Sequence, residues 1–139
     1  MKQNVLFLCT GNSCRSQMAE GWLKHLGGND FEVYSAGIVA HGKNPRAIAA
    51  MQDAGIDISQ QESEQLNPEI LKELDILVTV CGNADETCPA LPVTCEKLHW
   101  PFDDPAKASG NEEEVMAEFC RVRDEIRTRI SQFLLETLV

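Results

Sequence analysis

The 139-residue sequence predicts an α/β fold, in which four strands alternate with helices to form one parallel open sheet with helices on both faces. Three observations predict it. The stretches Asn4-Val5-Leu6-Phe7-Leu8-Cys9 and Asp75-Ile76-Leu77-Val78-Thr79-Val80 are apolar at consecutive positions, as strands buried on both faces are. The first is followed within a few residues by a helix pattern. The chain then ends in a long amphipathic repeat that could cover such a sheet.

Taken in order, the first strand covers residues 4–9. A helix from Ser16 to Leu26 follows, with Met18, Ala19, Trp22, Leu23 and Leu26 on one apolar stripe, and Gly27-Gly28 stops it. Residues 31–36 alternate as a second strand. Asn44-Pro45 starts the next helix, Asn as cap and Pro at the first helical position, and Gly55 ends it. Asn67-Pro68 repeats the signal for a short helix to about Leu74. Residues 75–80 form the third strand, and Lys97 to Trp100 a short fourth one before a loop through Pro105. From Glu112 on, Val115, Phe119, Val122, Ile126, Ile130, Phe133 and Leu138 recur at three- and four-residue steps. The acidic start Glu112-Glu113-Glu114 suits the positive end of a helix dipole.

This length is that of one domain, residues 1–139, with a core of its own. A formal charge of −10 and a pI of about 4.6 argue against a nucleic-acid or anionic-membrane partner, which would need a basic face. The apolar run before Thr10 is too short for a signal-peptide core or a membrane span, so the cytoplasm is the expected compartment. The six cysteines, Cys9, Cys14, Cys81, Cys88, Cys95 and Cys120, then point to catalytic or redox chemistry. Their spacing, with His25, His41 and His99 scattered, lacks the close pairs of a zinc site.

In a parallel sheet of this kind the ligand site lies beyond the carboxyl ends of the strands. Cys9 and Cys81 both fall there. The stretch CTGNSCR, followed by Ser16, joins the first strand to the first helix. Such a junction offers unpaired backbone N–H groups and the positive end of a helix dipole, an anion cradle. Gly11 and Asn12 most easily take the backbone angles that turn those groups inward. Thr10, Gly11, Asn12, Ser13, Cys14, Arg15 and Ser16 are therefore the candidate anion-binding residues, and the Arg15 guanidinium is a fork of donors suited to a tetrahedral oxyanion. Thiols at helix N-termini beside cations lose their proton readily, so Cys9 is expected as a thiolate facing the bound anion. A Walker nucleotide loop is excluded, because no Gly-Lys-Ser/Thr follows.

Cys9-x5-Arg15-Ser16 together with Asp104-Pro105 resembles the low-molecular-weight protein tyrosine phosphatases. CTGNSCRSQMAEGW, the YSAG of residues 34–37, the Cys81/Cys88 pair and HWPFDDPA more closely resemble thioredoxin-coupled arsenate reductases built on that fold. The resemblance spans nearly the whole chain. It implies that Cys9 attacks arsenate, that Cys81 resolves the arsenic adduct through a Cys9–Cys81 disulfide, and that Cys88 carries the oxidised pair outward to thioredoxin. If residues 83–88 were helical, Cys81 and Cys88 would stand about 10 Å apart, beyond disulfide reach. The 81–96 segment is therefore expected to rearrange during turnover.

The resemblance makes Asp104 the general acid, with Asp103 its nearest rival and a plain turn aspartate the structural alternative. It implies that Ser16 donates to the Cys9 sulfur. Ala106-Lys107 stand where the phosphatases carry aromatic residues for a phenol ring, so tyrosine phosphatase activity should be vestigial. Some relatives hold a potassium ion, and Asn12, Glu20, Ser35 and Glu64 match those positions; for Glu20 the alternative is simple solvent exposure. No tightly bound cofactor and a monomer are expected. Cys95 has no assigned role, and Cys120, one residue off the last helix's stripe, reads as packing. The rivals are a phosphomonoesterase whose extra cysteines protect Cys9, a phosphocarrier protein, and a thiol redox sensor. Arg15 and Asp104 weigh against the carrier, which must keep its phosphoryl group.

Overall fold

A computed structural model describes residues 2–9, 14–40, 42–80 and 95–137. Four parallel strands form one sheet: β1 (Gln3–Cys9), β2 (Phe31–Gly37), β3 (Ile76–Thr79) and β4 (Glu96–His99), in the order β2-β1-β3-β4. The helices are α1 (Arg15–Gly27), α2 (Pro45–Asp53), α3 (Pro68–Leu71) and α4 (Glu112–Thr137). The expected α/β architecture is thus present, with small shifts at the ends. β4 begins at Glu96 and stops before Trp100, and α3 closes after Leu71 instead of near Leu74.

Register explains why the site lies at one edge. Cys9 pairs with Gly37, Leu8 with Thr79 and Thr79 with His99, so all four strands end in line. β1 is central, and Val5, Leu6, Phe7, Leu8 and Cys9 are buried, as a strand paired on both sides and covered on both faces must be. Gly37 is bonded to β1 on one side; on the other its N–H donates to the Glu64 carbonyl at 2.8 Å, and Leu66 N–H donates back to its carbonyl at 2.8 Å. The chain thus passes the outer edge of β2 before crossing to β3.

α1 packs on α4, β2 and α2, and α4 lays Val115, Phe119, Val122, Ile126, Ile130 and Phe133 into the core, the stripe read from sequence up to Leu138, which lies outside the described residues. α1 differs from its expectation. Ser16, Gln17, Glu20 and Gly21 are buried along with the apolar stripe, and Leu26 is only partly so. The reason is a second neighbour. The segment around Ile58 presses so close that a Cβ on Gly21 would stand 2.6 Å from Ile58 Cγ2. Gln17 makes its polar burial tolerable: its Nε2 donates to the Glu62 carbonyl at 2.9 Å, and its Oε1 accepts from Gln61 Nε2 at 2.8 Å.

The two Asn-Pro starts behave as read. Asn44 Oδ1 accepts from Arg46 N–H at 2.9 Å and Asn67 Oδ1 from Glu69 N–H at 3.0 Å, each with proline at the helix start. Asn111 caps α4, accepting from Glu114 N–H at 2.9 Å. Among the described residues no helix is long and apolar enough to cross a membrane.

Candidate active site

The site is built where β1 ends and α1 begins. Cys9, 2% exposed, closes the central strand, and Cys14 stands at the N-cap of α1 and is also buried. Cys9 Sγ lies 2.8 Å from Ser16 Oγ, inside the protein. Ser16 is the second residue of α1, so the first turn of that helix holds its hydroxyl against the sulfur.

Arg15, the first residue of α1, reaches across the strand ends to the loop after β4. Nη1 donates to the Phe102 carbonyl at 3.2 Å, and Nη2 lies 3.5 Å from Asp104 Oδ2. Its side chain is only 13% exposed, and Nε is buried with no hydrogen-bond partner among the described residues. A buried donor left so is costly, and an oxyanion in the junction would satisfy it. The Phe102 carbonyl is a contact the sequence pattern could not signal, since any residue supplies one.

Asp104 is a turn aspartate that also faces Arg15. Oδ1 accepts from Ala106 N–H at 3.0 Å and caps the short turn Pro105–Lys107, the third Asx-Pro start in the chain, while Oδ2 faces Arg15. Asp103 is set apart: 77% exposed, it accepts from Arg121 Nη2 of α4 at 3.1 Å. Of the two aspartates, Asp104 faces Arg15 and Asp103 faces α4.

Of the expected cation set, the fold brings Glu20 and Ser35 together. Glu20 is 7% exposed, which overturns the solvent-exposed alternative; Ser35 Oγ donates to its Oε1 and Lys24 Nζ donates to its Oε2. Lys24 was missed, although a lysine four residues after a glutamate on a helix is itself a signal. The Glu64 side chain is exposed, and its carbonyl serves Gly37. Two oxygens of Glu20 and the hydroxyl of Ser35 have the donor chemistry a hard cation accepts. No cluster of three or more His, Cys, Asp or Glu that could hold a metal occurs among the described residues.

Thr10, Gly11, Asn12, Ser13, Cys81, Cys88 and nearly all of the 81–96 segment lie outside the described residues. β3, whose strand runs toward Cys81, neighbours β1, whose last residue is Cys9. Cys95 is half-buried, and burial pushes its thiol up from the ordinary value, away from nucleophilic chemistry. Cys120 is half-buried against the core and accepts from Arg123 Nη1 at 3.5 Å, in keeping with packing.

A buried cysteine at a strand–helix junction, an arginine in the next turn and an aspartate brought up from a distant loop define a phosphatase-type oxyanion site. The chain belongs to the low molecular weight phosphotyrosine protein phosphatase family, whose pattern matches residues 4–139. Within it, the chain is 58% identical over 132 residues to an arsenate reductase of Halalkalibacterium halodurans, covering 95% of both chains. It is 56% identical over 129 residues to an arsenate reductase of Bacillus subtilis, covering 93% of both. Among solved structures, it resembles an arsenate reductase in the phosphate binding state with a TM-score of 0.80 and 33% identity, over 96% of this chain and 98% of that one. A low molecular weight protein tyrosine phosphatase from T. tengcongensis shares the fold, with a TM-score of 0.82 at 24% identity over 97% and 99% of the two chains.

Proposed function

We propose that this protein reduces arsenate to arsenite in arsenic detoxification by a three-cysteine relay that thioredoxin recharges. The observation that carries the reading is Cys9 Sγ held 2.8 Å from Ser16 Oγ at the head of α1, beside an arginine whose Nε–H has no partner among the described residues. Similarity to proteins named arsenate reductase, at 58% identity, selects arsenate over a phosphate ester.

Arsenate sits in the cradle of residues 10–16 with Arg15 on its oxygens. The Cys9 thiolate attacks arsenic; one oxygen leaves as water with a proton from Asp104, giving a Cys9–arsenic(V) adduct. Cys81 then attacks Cys9 Sγ. The S–S bond forms, the S–As bond breaks, and its electron pair stays on arsenic as arsenite. Cys88 next attacks Cys81 Sγ and frees Cys9 as thiolate, leaving a Cys81–Cys88 disulfide. Thioredoxin dithiol reduces that disulfide and closes the cycle. The cytoplasm, where thiols stay reduced, is the compartment in which such a relay works, and a monomer suffices for it.

The test is arsenate-dependent NADPH consumption with thioredoxin and thioredoxin reductase. Wild type is expected to turn over repeatedly, and Cys81→Ser and Cys88→Ser to stop within one turnover. Sustained cycling by both variants would sink the relay. A second reading, phosphomonoester hydrolysis, is favoured by the family and by Asp104 beside Arg15; it requires one cysteine only, and would show as ester hydrolysis surviving in both variants without arsenate turnover.

No tightly bound cofactor enters these steps. The same proposal includes a potassium ion held by Glu20 and Ser35, with Asn12 and Glu64 completing the expected set, which would add positive charge beside the cradle and compete with the Lys24 ammonium. At equal ionic strength, Tm should be higher in potassium chloride than in sodium chloride, and the gap should widen in Lys24→Met. Identical Tm values in both salts, in both proteins, would remove the ion.

A further inference from the structure

Residues 100–104 are tied down from three sides. Trp100 N–H donates to the Thr79 carbonyl at 2.8 Å and Phe102 N–H to the Val80 carbonyl at 3.3 Å, which fixes the segment to the end of β3. Arg15 fixes it to α1, through the Phe102 carbonyl and Asp104. The third tie is to α4, where Asp103 Oδ2 accepts from Arg121 Nη2 at 3.1 Å.

Arg121 is more firmly aimed than most surface arginines. Nη2 and Nε also donate to Glu118 Oε2 at 2.6 and 3.2 Å, and Nη1 donates to Glu125 Oε2 at 2.7 Å. These glutamates sit one turn to either side on the same helix face, so the guanidinium is braced between them and projects one N–H to Asp103. The carboxylates together hold its proton more tightly than usual. Asp104 has extended backbone angles, φ −84° and ψ 106°, and along extended chain successive side chains turn to opposite sides. Fixing Asp103 toward α4 therefore fixes Asp104 toward α1.

We infer that Asp103 and Arg121 are positioning residues: their ion pair sets the facing of residues 100–104 and so holds the Asp104 carboxyl over Arg15 and the bound oxyanion. The inference rests on the oxyanion chemistry proposed above and adds to it a role for an aspartate that touches no substrate. Because the pair is exposed, its effect is modest and is screened by salt.

The experiment is a single turnover of the reduced full-length protein with arsenate, without thioredoxin, followed by loss of free thiols, with sulfate affinity measured by calorimetry. Asp103→Asn and Arg121→Met should each lower the saturating rate about two- to fivefold, with sulfate Kd within about twofold of wild type. The double variant should be no slower than the slower single one, because both remove the same contact. Arg121→Lys should recover part of the rate. Arg46→Met, which removes an equally exposed pair with Glu112 away from this loop, should leave the rate unchanged. Saturating rates equal to wild type, or a sulfate affinity that falls in step with the rate, would overturn the inference. Failure of the arsenate reading is visible separately, as a wild type that hydrolyses phenyl phosphate but leaves arsenate intact; the same ratios are then read on the ester.

Discussion

Cys9→Ser is expected to abolish arsenate-dependent turnover, a loss of at least about four orders of magnitude, while sulfate still binds within a few-fold of wild type. Two physical reasons act together. A serine hydroxyl at neutral pH is a far weaker nucleophile than a thiolate, and the partner found at 2.8 Å is another hydroxyl, Ser16, which is no general base. The second reason is absolute. Reduction needs a sulfur that a second thiol can attack so that the S–As bond yields its electron pair to arsenic; oxygen cannot do this under the same conditions. Sulfate binding survives because the expected cradle is made of backbone N–H groups and Arg15, and the side-chain change is nearly isosteric. The measurement is NADPH consumption in the coupled assay beside calorimetric sulfate binding. Turnover within tenfold of wild type would show that Cys9 is not the nucleophile.

Arg15→Lys should lower kcat/KM for arsenate by about a hundred- to a thousandfold, the usual cost of losing a preorganised oxyanion donor. Charge is conserved, so the loss measures geometry. The guanidinium serves the Phe102 carbonyl at 3.2 Å, faces Asp104 at 3.5 Å and still has Nε–H for the anion. One ammonium at the end of a flexible chain cannot hold these three directions at once. Sulfate affinity should fall with the rate. Reduction of a preformed Cys81–Cys88 disulfide by thioredoxin should stay at the wild-type rate, since that step uses no oxyanion. Equal kcat/KM in the two proteins would mean that Arg15 contributes charge alone.

Much of the fold was legible because its signals are local. An unbroken apolar run must be buried on both faces, so β1 reads as a central strand, and Val5 through Cys9 are buried. Asn-Pro places a cap and a helix start within two residues, and both Asn44 and Asn67 act so. The stripe of α4 follows from 3.6 residues per turn, and it lies in the core. Only one side of α1 was legible, and for a tertiary reason: its second buried side faces the chain around Ile58 and the Gln61 amide, which periodicity on α1 cannot reveal.

The sequence by itself determined the strand-to-helix junction, because Cys9 and Ser16 lie within two turns of chain and local geometry brings them together. It also determined, through the Cys81/Cys88 pair and the family resemblance, that redox chemistry should accompany anion capture. Only the tertiary structure decided which aspartate faces Arg15, that Asp103 belongs to Arg121, and that Glu20 is buried against Ser35 and Lys24. Each of these depends on the order β2-β1-β3-β4, which sets the loop after β4 against the head of α1 and β2 against its flank. Contacts between residues far apart in the chain follow from how strands are ordered and layers packed, and that order is a property of the assembled sheet.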